Sequence, residues 1–269
     1  MPETITSAAN AAVKTLRSLA TKKGRKEAGL LLAEGERLMR EAAELGRWPQ
    51  LAAVSEAALG RPSVRDFVRA AENAGTRVLI LSPRLLEQIT RRDNAQSVIG
   101  AYRPRLAELT ELTGDLLVAL HEVRDPGNLG TILRTCDAVG ASGVVLTGEC
   151  CDPFSVEAVR ASMGSIFAIP LVQTQFQALD AWRKRAGCSV IGTSLRAAQR
   201  HDEPDVSGRV ILLMGNEQSG LPPDIEAACD HLVRIPMRGR ADSLNLAVST
   251  SVMLYDVWRR RGFAKPNHA

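Results

Sequence analysis

A series of short apolar segments, separated by stretches with helical spacing, constrains the fold of this chain more than any other feature. In the second half these segments are almost continuously apolar, as at 116–120 and 210–214, which is typical of strands buried on both faces of a parallel sheet. We therefore predict an α/β fold in which helices cover both faces of a parallel sheet. The predicted strands are 30–33, 51–54, 77–81, 97–102, 116–120, 143–146, 168–172, 189–192, 210–214 and 231–235. The predicted helices include 36–45, 128–139, 155–161, 177–186, 223–228 and 244–261.

Two domains account for the 269 residues, since one domain has about 150 residues on average. Residues 1–108 alternate strands and helices on a small scale and are predicted to form a small N-terminal α/β domain. Residues 102–114 contain Pro104 and several charges, as a linker would. Residues 109–269 carry the longer alternation and are predicted to form the second domain with the larger sheet.

Composition narrows the class of protein. Hydrophobic residues make up 45% of the chain and charged residues 24%, which is typical of a globular protein. No apolar run approaches the roughly 20 residues that span a bilayer, and the first ten residues lack the pattern of an export signal. We expect a cytoplasmic protein with no membrane partner. Five cysteines without a C-x-x-C pair predict neither a disulfide framework nor a metal site.

The net charge of +4 is unevenly spread, because the basic excess lies in the first 110 residues. The densest basic segments are 22–26 and 91–92. Such runs are more often a solvated surface than a binding site. A basic module joined to a nearly neutral one is nevertheless typical of a polyanion reader attached to a catalytic domain.

Common catalytic and nucleotide-binding motifs are missing from the sequence. It contains no G-x-G-x-x-G and no G-x-x-x-x-G-K-[ST], which removes the main support for a dinucleotide-binding or P-loop protein. It also contains no G-x-S-x-G and no H-E-x-x-H, so a nucleophile-elbow hydrolase and a zinc protease are disfavoured.

Three loops that follow predicted strands hold the polar residues of most interest. In open α/β sheets, ligands bind outside the carboxyl ends of the strands. In the loop after 116–120, Asn128 can cap a helix and Arg134 follows six residues later. In the loop after 210–214, Gly215 lets the backbone approach a ligand closely, and Glu217 can accept hydrogen bonds from it.

The third loop follows the strand at 231–235. Ser243 fits the N-cap of the last helix, and Asn245 lies just inside that helix, next to an end that favours anionic groups. Taken singly, the first and third loops are better explained by a capped helix with no further role, and the second is explained equally well by a simple turn.

Taken together and in this order, the three loops resemble the signature motifs of the SpoU (TrmH-type) branch of the SPOUT RNA methyltransferases. The resemblance extends from about Leu116 to Tyr255, and its motifs are Asn128 with Arg134, the 215–217 turn with Gly220, and 235–237 followed by 243–245. The segment 160–165 also resembles the family. Residues 32–38 resemble a substrate-binding domain that several rRNA-directed members carry.

The resemblance implies an enzyme that transfers a methyl group from S-adenosylmethionine to a ribose 2′-hydroxyl, most often in rRNA. It also implies a C-terminal trefoil knot, which is one of the rare exceptions to unknotted folds, and a homodimer with active sites at the interface. The sequence departs from the family pattern at Leu246-Ala247, where Val-Ser is usual, and at Asp242, where Glu is common. DNA is not an expected partner.

The resemblance also suggests roles for individual residues. Arg134 is the expected catalytic residue, but an arginine is always protonated, so we expect it to clamp an RNA phosphate or the developing alkoxide rather than act as a base. The expected catalytic set is Arg134, Asn128, Glu217, Ser243 and Asn245. The expected S-adenosylmethionine contacts are Thr193, Ser194, Leu195, Met214, Gly215, Ile235, Met237 and Leu244. The expected RNA contacts in the first domain are Lys22, Lys23, Arg25, Lys26, Arg37, Arg91 and Arg92.

Three alternatives remain open at this point. The chain could be a non-catalytic RNA-binding or ribosome-assembly factor on a decayed scaffold, although the intact polar residues of the three loops count against decay. It could methylate a tRNA ribose instead, or a base nitrogen. Aromatic residues make up only 4% of the chain, so RNA recognition by shape and phosphate contacts is favoured over extensive base stacking.

Overall fold

The computed structural model describes residues 2–93 and 95–264. In its first part, strands and helices alternate closely, and a short 3₁₀ helix lies at Glu56–Gly60, while another lies at Leu109–Glu111, before the second part's first strand. The elements up to residue 102 are β1 (Glu3–Ile5), α1 (Ala11–Ser18), α2 (Lys22–Ala28), β2 (Leu31–Glu34), α3 (Glu36–Glu44), β3 (Leu51–Ser55), α4 (Pro62–Asn73), β4 (Arg77–Leu81), α5 (Pro83–Thr90) and β5 (Val98–Tyr102).

The second part continues the alternation with longer helices, and a further 3₁₀ helix lies at Ser165–Phe167. Its elements are β6 (Leu116–His121), α6 (Pro126–Val139), β7 (Gly143–Thr147), α7 (Val156–Ala161), β8 (Leu171–Thr174), α8 (Phe176–Ala186), β9 (Ser189–Thr193), β10 (Gln199–Arg200), β11 (Val210–Met214), α9 (Pro223–Ala227), β12 (His231–Arg234) and α10 (Leu246–Arg260).

The chain divides into two compact units that differ from the predicted domains in one segment. The first unit combines Met1–Arg105 with Asp152–Ala168, and the second combines Leu106–Cys151 with Ile169–Ala269. The sequence placed 152–168 in the second domain. Two ion pairs join this segment to the rest of the first unit: Arg25 with Asp152 at 2.5 Å, and Arg160 with Glu34 at 2.7 Å.

The sheet of the first unit is mixed. Its strand order is β1-β4-β3-β5-β2, and β5 runs antiparallel to both β3 and β2, while β4 runs parallel to β1 and β3. Strands β2, β3 and β5 are buried along their whole length. One core cluster of this unit includes Leu16, Leu79 and Ile99, which are all fully buried.

The sheet of the second unit is parallel in every strand pair, with the order β10-β12-β9-β11-β6-β7-β8. Strands β7 and β11 are completely buried, as their apolar runs predict. The predicted α/β fold with a parallel sheet is therefore confirmed. Because all strands point the same way, the loops after β6, β9, β11 and β12 lie at one edge of the sheet.

Several short elements were not predicted from the sequence, among them β1 and β10, which are strands of three and two residues. Residues 22–26 were predicted only as a charged run, whereas these residues begin helix α2. Local signals for this helix are present, because Thr21 accepts a hydrogen bond from the backbone N of Gly24 and Gly29 ends the helix at φ 64°. Among the described residues, no helix is long and apolar enough to cross a membrane.

The Arg25–Asp152 ion pair gives a test of how the segment 152–168 is held. Only 9% of the Arg25 side chain and 20% of the Asp152 side chain are exposed. Replacing Asp152 with Asn keeps the shape but leaves a buried guanidinium without its counter-charge, so we expect the free energy of unfolding to fall by about 3 kcal/mol. Urea unfolding measures it. The matched change Asp66→Asn, at an exposed position on α4, should stay within about 0.5 kcal/mol; equal losses in both variants would contradict the expectation.

Candidate functional site

A cavity of about 600 Å³ lies in the second unit, where β9, β11 and β12 end and α10 begins. All eight residues that were expected to contact a cofactor line it: Thr193, Ser194, Leu195, Met214, Gly215, Ile235, Met237 and Leu244. Glu217, Ser243 and Asn245 of the expected catalytic set line it as well. The structure thus brings residues from three separate strand ends together around one space.

In the turn after β11, the backbone at residues 215–216 lies very close to the backbone at residues 220–221. Asn216 and Gly220 form an antiparallel bridge with backbone hydrogen bonds of 3.1 and 3.0 Å. A Cβ atom at Gly215 would lie 2.5 Å from the backbone N of Leu221, a distance that real side chains do not show, and Gly220 has a φ of 70°. Glycine is therefore required at position 215 by the lack of space and is favoured at position 220 by the backbone conformation.

The side chain of Asn216 closes the turn from inside. Its Oδ1 accepts hydrogen bonds from the backbone N atoms of Gln218 at 2.9 Å and Ser219 at 3.2 Å. Its Nδ2 donates to the carbonyl oxygen of Glu122 at 2.9 Å, which ties the turn to the loop after β6. This role of Asn216 was not predicted from the sequence, although an Asn after a strand and a Gly is a common turn signal.

Three side chains from the three loops form a connected set, which we call the amide cluster: Asn128, Glu217 and Asn245. Asn245 Nδ2 donates to Asn128 Oδ1 at 2.9 Å, and Asn128 Nδ2 donates to Glu217 Oε1 at 3.2 Å. The other carboxylate oxygen of Glu217 accepts a hydrogen bond from the backbone N of Arg124 at 3.4 Å. Each amide group is thereby fixed in orientation by a neighbour from another loop.

Both helix caps differ from the predicted ones. Asn245, not Ser243, is the N-cap of α10, since its Oδ1 accepts from the backbone N atoms of Ala247 at 2.9 Å and Val248 at 3.3 Å. Asp125, not Asn128, is the N-cap of α6, and it accepts from the backbone N of Asn128 at 2.5 Å. The Asn128 side chain is therefore free to join the amide cluster, while Ser243 lies in the cavity wall.

Arg134 does not join the amide cluster and does not line the cavity. It is exposed on α6, and six residues of helix separate it from Asn128, which places the two side chains about 120° apart around the axis and about 9 Å apart along it. Within residues 2–93 and 95–264, its guanidinium has no hydrogen-bond or ion-pair partner. The guanidinium of Arg134 is therefore available to bind a group from another molecule.

The basic residues predicted to contact RNA are solvent-exposed with one exception. Arg37 forms an ion pair of 2.8 Å with Glu41, and Lys23 lies 3.8 Å from Glu27. Arg25 is the exception and corrects the prediction that it contacts RNA. Its guanidinium is buried, donates to the carbonyl oxygen of Leu19 at 2.9 Å and is paired with Asp152, so it is not accessible to an RNA phosphate. The exposed candidates are Lys22, Lys23, Lys26, Arg37, Arg91 and Arg92.

Charged residues that the sequence analysis did not single out also line the cavity. Arg196 Nη2 lies 3.2 Å from Glu226 Oε2, and Arg234 stands at the end of β12. Arg196 and Arg234 could have been predicted as cavity residues, because each lies just after or at the end of a predicted strand. Arg234 was overlooked because it lies inside an apolar strand, and Glu226 because it belongs to the short helix α9.

No histidine or cysteine is placed in the amide cluster to act as a base. His121 ends β6 and lies with its Nδ1 3.1 Å from Thr147 Oγ1, and burial lowers the pKa of its imidazole. Burial raises the pKa of the Cys229 thiol to about 11, so this thiol is protonated at neutral pH. In the part of the chain that the structure describes, no group of three or more His, Cys, Asp or Glu residues could hold a metal ion.

Comparison with known proteins identifies the class to which this fold and cavity belong. The model of the SpoU rRNA methylase family matches residues 115–255, and the MRM3-like substrate binding domain matches residues 10–100. The first match covers the cavity and all three loops. The chain belongs to the SpoU rRNA methylase family.

Relatives and solved structures agree with this membership over nearly the whole chain. The chain is 30% identical to the 23S rRNA (guanosine(2553)-2′-O)-methyltransferase RlmP of Bacillus subtilis, over 93% of this chain and 97% of that protein. It is 29% identical to the 23S rRNA (uridine(2479)-2′-O)-methyltransferase of Streptomyces viridochromogenes, over 90% and 87%. An AdoMet-bound rRNA methyltransferase from Sinorhizobium meliloti superimposes with a TM-score of 0.88 at 42% identity, covering 96% of this chain and 98% of that one. The predicted family, enzyme class and methyl donor are confirmed.

The amide cluster gives a test that separates its role in the site from its role in folding. Asn245→Asp keeps the oxygen that caps α10 but removes the Nδ2 donor and places a carboxylate beside Asn128 Oδ1. We expect the melting temperature to stay within about 2 °C, while methyl transfer to RNA falls at least about tenfold, because a hydrogen bond in the cluster is replaced by repulsion.

The matched control is Asn10→Asp, since Asn10 caps α1 in the same way through a 2.9 Å hydrogen bond to the backbone N of Ala12. That variant should keep full activity. Unchanged methyl transfer by Asn245→Asp would show that the cluster has only a structural role.

Proposed function

We propose that this protein transfers the methyl group of S-adenosylmethionine to a ribose 2′-hydroxyl in rRNA, with the reaction in the second unit and RNA held in part by the first. The observation that carries the proposal is the convergence of Asn128, Glu217 and Asn245 beside a cavity of cofactor size. This arrangement would be hard to explain in a binding factor on a decayed scaffold, because the side chains of Asn128 and Glu217 cap no helix and would be lost without a role in the site.

The cavity residues fit the methyl donor. The volume of the cavity, about 600 Å³, lies within the range of small-molecule sites. Leu195, Ile235 and Leu244 offer apolar walls for an adenine ring, and the backbone at Thr193 and Gly215 offers groups that can read its polar edge. When bound, S-adenosylmethionine supplies a methyl group activated by a sulfonium. No metal ion is required for this chemistry.

The residues of the chain have to align a poor nucleophile and remove its proton. Glu217 is exposed, and its oxygens accept one hydrogen bond each from Asn128 and Arg124, so both retain lone pairs for a ribose hydroxyl. Ser243 in the cavity wall can donate to the sugar or accept from it. Holding the hydroxyl in line with the donor methyl group lowers the activation free energy of methyl transfer, because the two reactants have already lost their translational and rotational entropy on binding.

Arg134 would act through its permanent positive charge. An arginine cannot accept a proton at neutral pH, but it can bind an RNA phosphate in bidentate fashion or stabilise the alkoxide that develops on the ribose. The proton of the hydroxyl would then leave to water or to a phosphate oxygen. The free guanidinium of Arg134 supports such a role.

A homodimer with active sites at the interface and a C-terminal trefoil knot are further parts of this proposal. Helix α10 exposes two large apolar side chains two turns apart, Val248 at 48% and Tyr255 at 46%, and such a face favours a protein contact. Helix α6, which carries Arg134, is joined to α10 by a hydrogen bond of 3.0 Å between Thr135 and Ser251. A second copy on this face would lie near Arg134. A cytoplasmic location is proposed with the RNA substrate.

The reaction product tests the function directly. Ribosomal RNA and tRNA from cells with the gene deleted serve as substrates for the purified protein with labelled S-adenosylmethionine. We expect label in rRNA at a linkage that resists alkaline hydrolysis, since a 2′-O-methyl group removes the attacking hydroxyl. Label only in tRNA, or label at an alkali-sensitive linkage, would favour the tRNA or base-methylation alternatives, and no label with intact RNA binding would favour a non-catalytic factor.

Arg134→Ala tests the residue assignment. We expect turnover to fall at least about a hundredfold, because electrostatic stabilisation of a developing charge contributes about 3 kcal/mol or more. Binding of S-adenosylmethionine, measured by calorimetry, should stay within twofold, since Arg134 does not line the cavity. Mixing Arg134→Ala protein with Asn245→Asp protein then tests the dimer, because restored activity requires that one copy supplies Arg134 to the cavity of the other. Near-normal turnover by Arg134→Ala would refute the assignment.

A further inference from the structure

The segment between β12 and α10 presents two arginines that the proposed mechanism does not use. Ile235 and Met237 line the cavity on one side of the segment, and Ser243 and Leu244 line it on the other. The residues between them, 238–242, are all exposed. We call this stretch the rim segment, and it includes Arg238 and Arg240.

Both guanidinium groups are free. Among the residues that the structure describes, neither Arg238 nor Arg240 has a hydrogen-bond or ion-pair partner. Most other arginines of the second unit are paired, for example Arg183 with Asp230 at 2.6 Å and Arg200 with Asp202 at 2.5 Å. Asp242 is exposed two residues after Arg240 and forms no ion pair with it. An arginine that avoids an available carboxylate keeps all of its donors for a ligand.

The backbone of the rim segment is also unrestrained. Within residues 2–93 and 95–264, no backbone group of 238–242 forms a hydrogen bond with another residue. The chain is anchored on one side by β12 and on the other by the cap of α10 at Asn245. A segment held only at its ends can adjust its side chains to the shape of a ligand at the mouth of the cavity.

We propose that Arg238 and Arg240 bind phosphates of the substrate RNA next to the nucleotide that is methylated. The inference deepens the proposed function, on which it rests, and adds an RNA contact in the second unit to those expected in the first. The chemistry favours RNA over the carboxylate of the methyl donor, because the donor would lie inside the cavity whereas both guanidinium groups are exposed outside it. The second unit has no general basic excess to attract RNA, since the sequence after residue 110 carries slightly more acidic than basic residues.

Salt dependence of RNA binding measures these contacts. The probe is a 23S rRNA transcript, and its affinity is measured between 50 and 200 mM KCl for the wild type, Arg238→Gln, Arg240→Gln and the double variant. Each phosphate contact releases counterions, so we expect the slope of log affinity against log salt to fall by about one for each arginine removed. The Michaelis constant for RNA should rise, while the turnover rate at saturating RNA and the dissociation constant of S-adenosylmethionine stay within twofold.

Matched variants keep the result specific. Arg185 is exposed in the last turn of α8 and has no partner among the described residues, so Arg185→Gln removes the same charge from the same unit and should leave the slope unchanged. Arg238→Lys with Arg240→Lys keeps the charge and should retain most of the slope.

Three results would overturn the inference. An unchanged slope in the double variant would show that the arginines do not touch RNA, and an equal loss in Arg185→Gln would show an effect of net charge alone. Weaker S-adenosylmethionine binding with normal RNA binding would assign the arginines to the methyl donor. The slope is measured without turnover, so it tests this inference independently of the methylation reaction. A wild-type protein that binds RNA but does not methylate it would refute the proposed function, while a smaller slope in the double variant would still support the RNA contacts of Arg238 and Arg240.

Discussion

The parallel direction of the seven strands in the second unit is the constraint on which the site depends. Strands β6, β9, β11 and β12 all end at the same edge, so loops that are more than 100 residues apart in sequence meet there. The hydrogen bond between Asn128 and Asn245 spans 117 positions of the chain. An antiparallel sheet of the same strands would send alternate loops to opposite edges and would separate these residues.

Side chains at this edge combine a folding role with a role in the site. The Oδ1 of Asn245 caps α10 while its Nδ2 orients Asn128, and Asn216 closes the turn after β11 while it holds the loop after β6. Such sharing fixes the geometry of the amide cluster without side chains devoted only to support. It also explains why Asn rather than Asp is needed at position 245, since an ionised carboxylate offers an acceptor for the cap but no donor for Asn128.

Residues 152–168 belong to the second predicted domain by sequence but pack with the first unit in the structure. Residues 152–168 lie within the matched SpoU region, yet they pack with the first unit through Arg25–Asp152 and Arg160–Glu34. Glu34 is almost completely buried and pairs with Arg160, so the motif at 32–38 has a clear structural role. The basic residues of the run 22–26 have different roles, because Arg25 is buried in this packing while Lys22, Lys23 and Lys26 face solvent.

The sequence by itself determined the α/β class, all six long strands of the second unit, the family and eleven of the residues that line the cavity. It could do so because buried parallel strands leave apolar runs, and because the glycines and polar residues of the three strand-end loops together resemble the motifs of one family. It could not determine which of several Asn and Ser side chains cap a helix, that Arg25 is buried, or that 152–168 packs with the first unit. Those outcomes depend on partners far away in the chain, such as Asp152 for Arg25 and Asn128 for Asn245, and only the tertiary structure brings these partners within hydrogen-bonding distance.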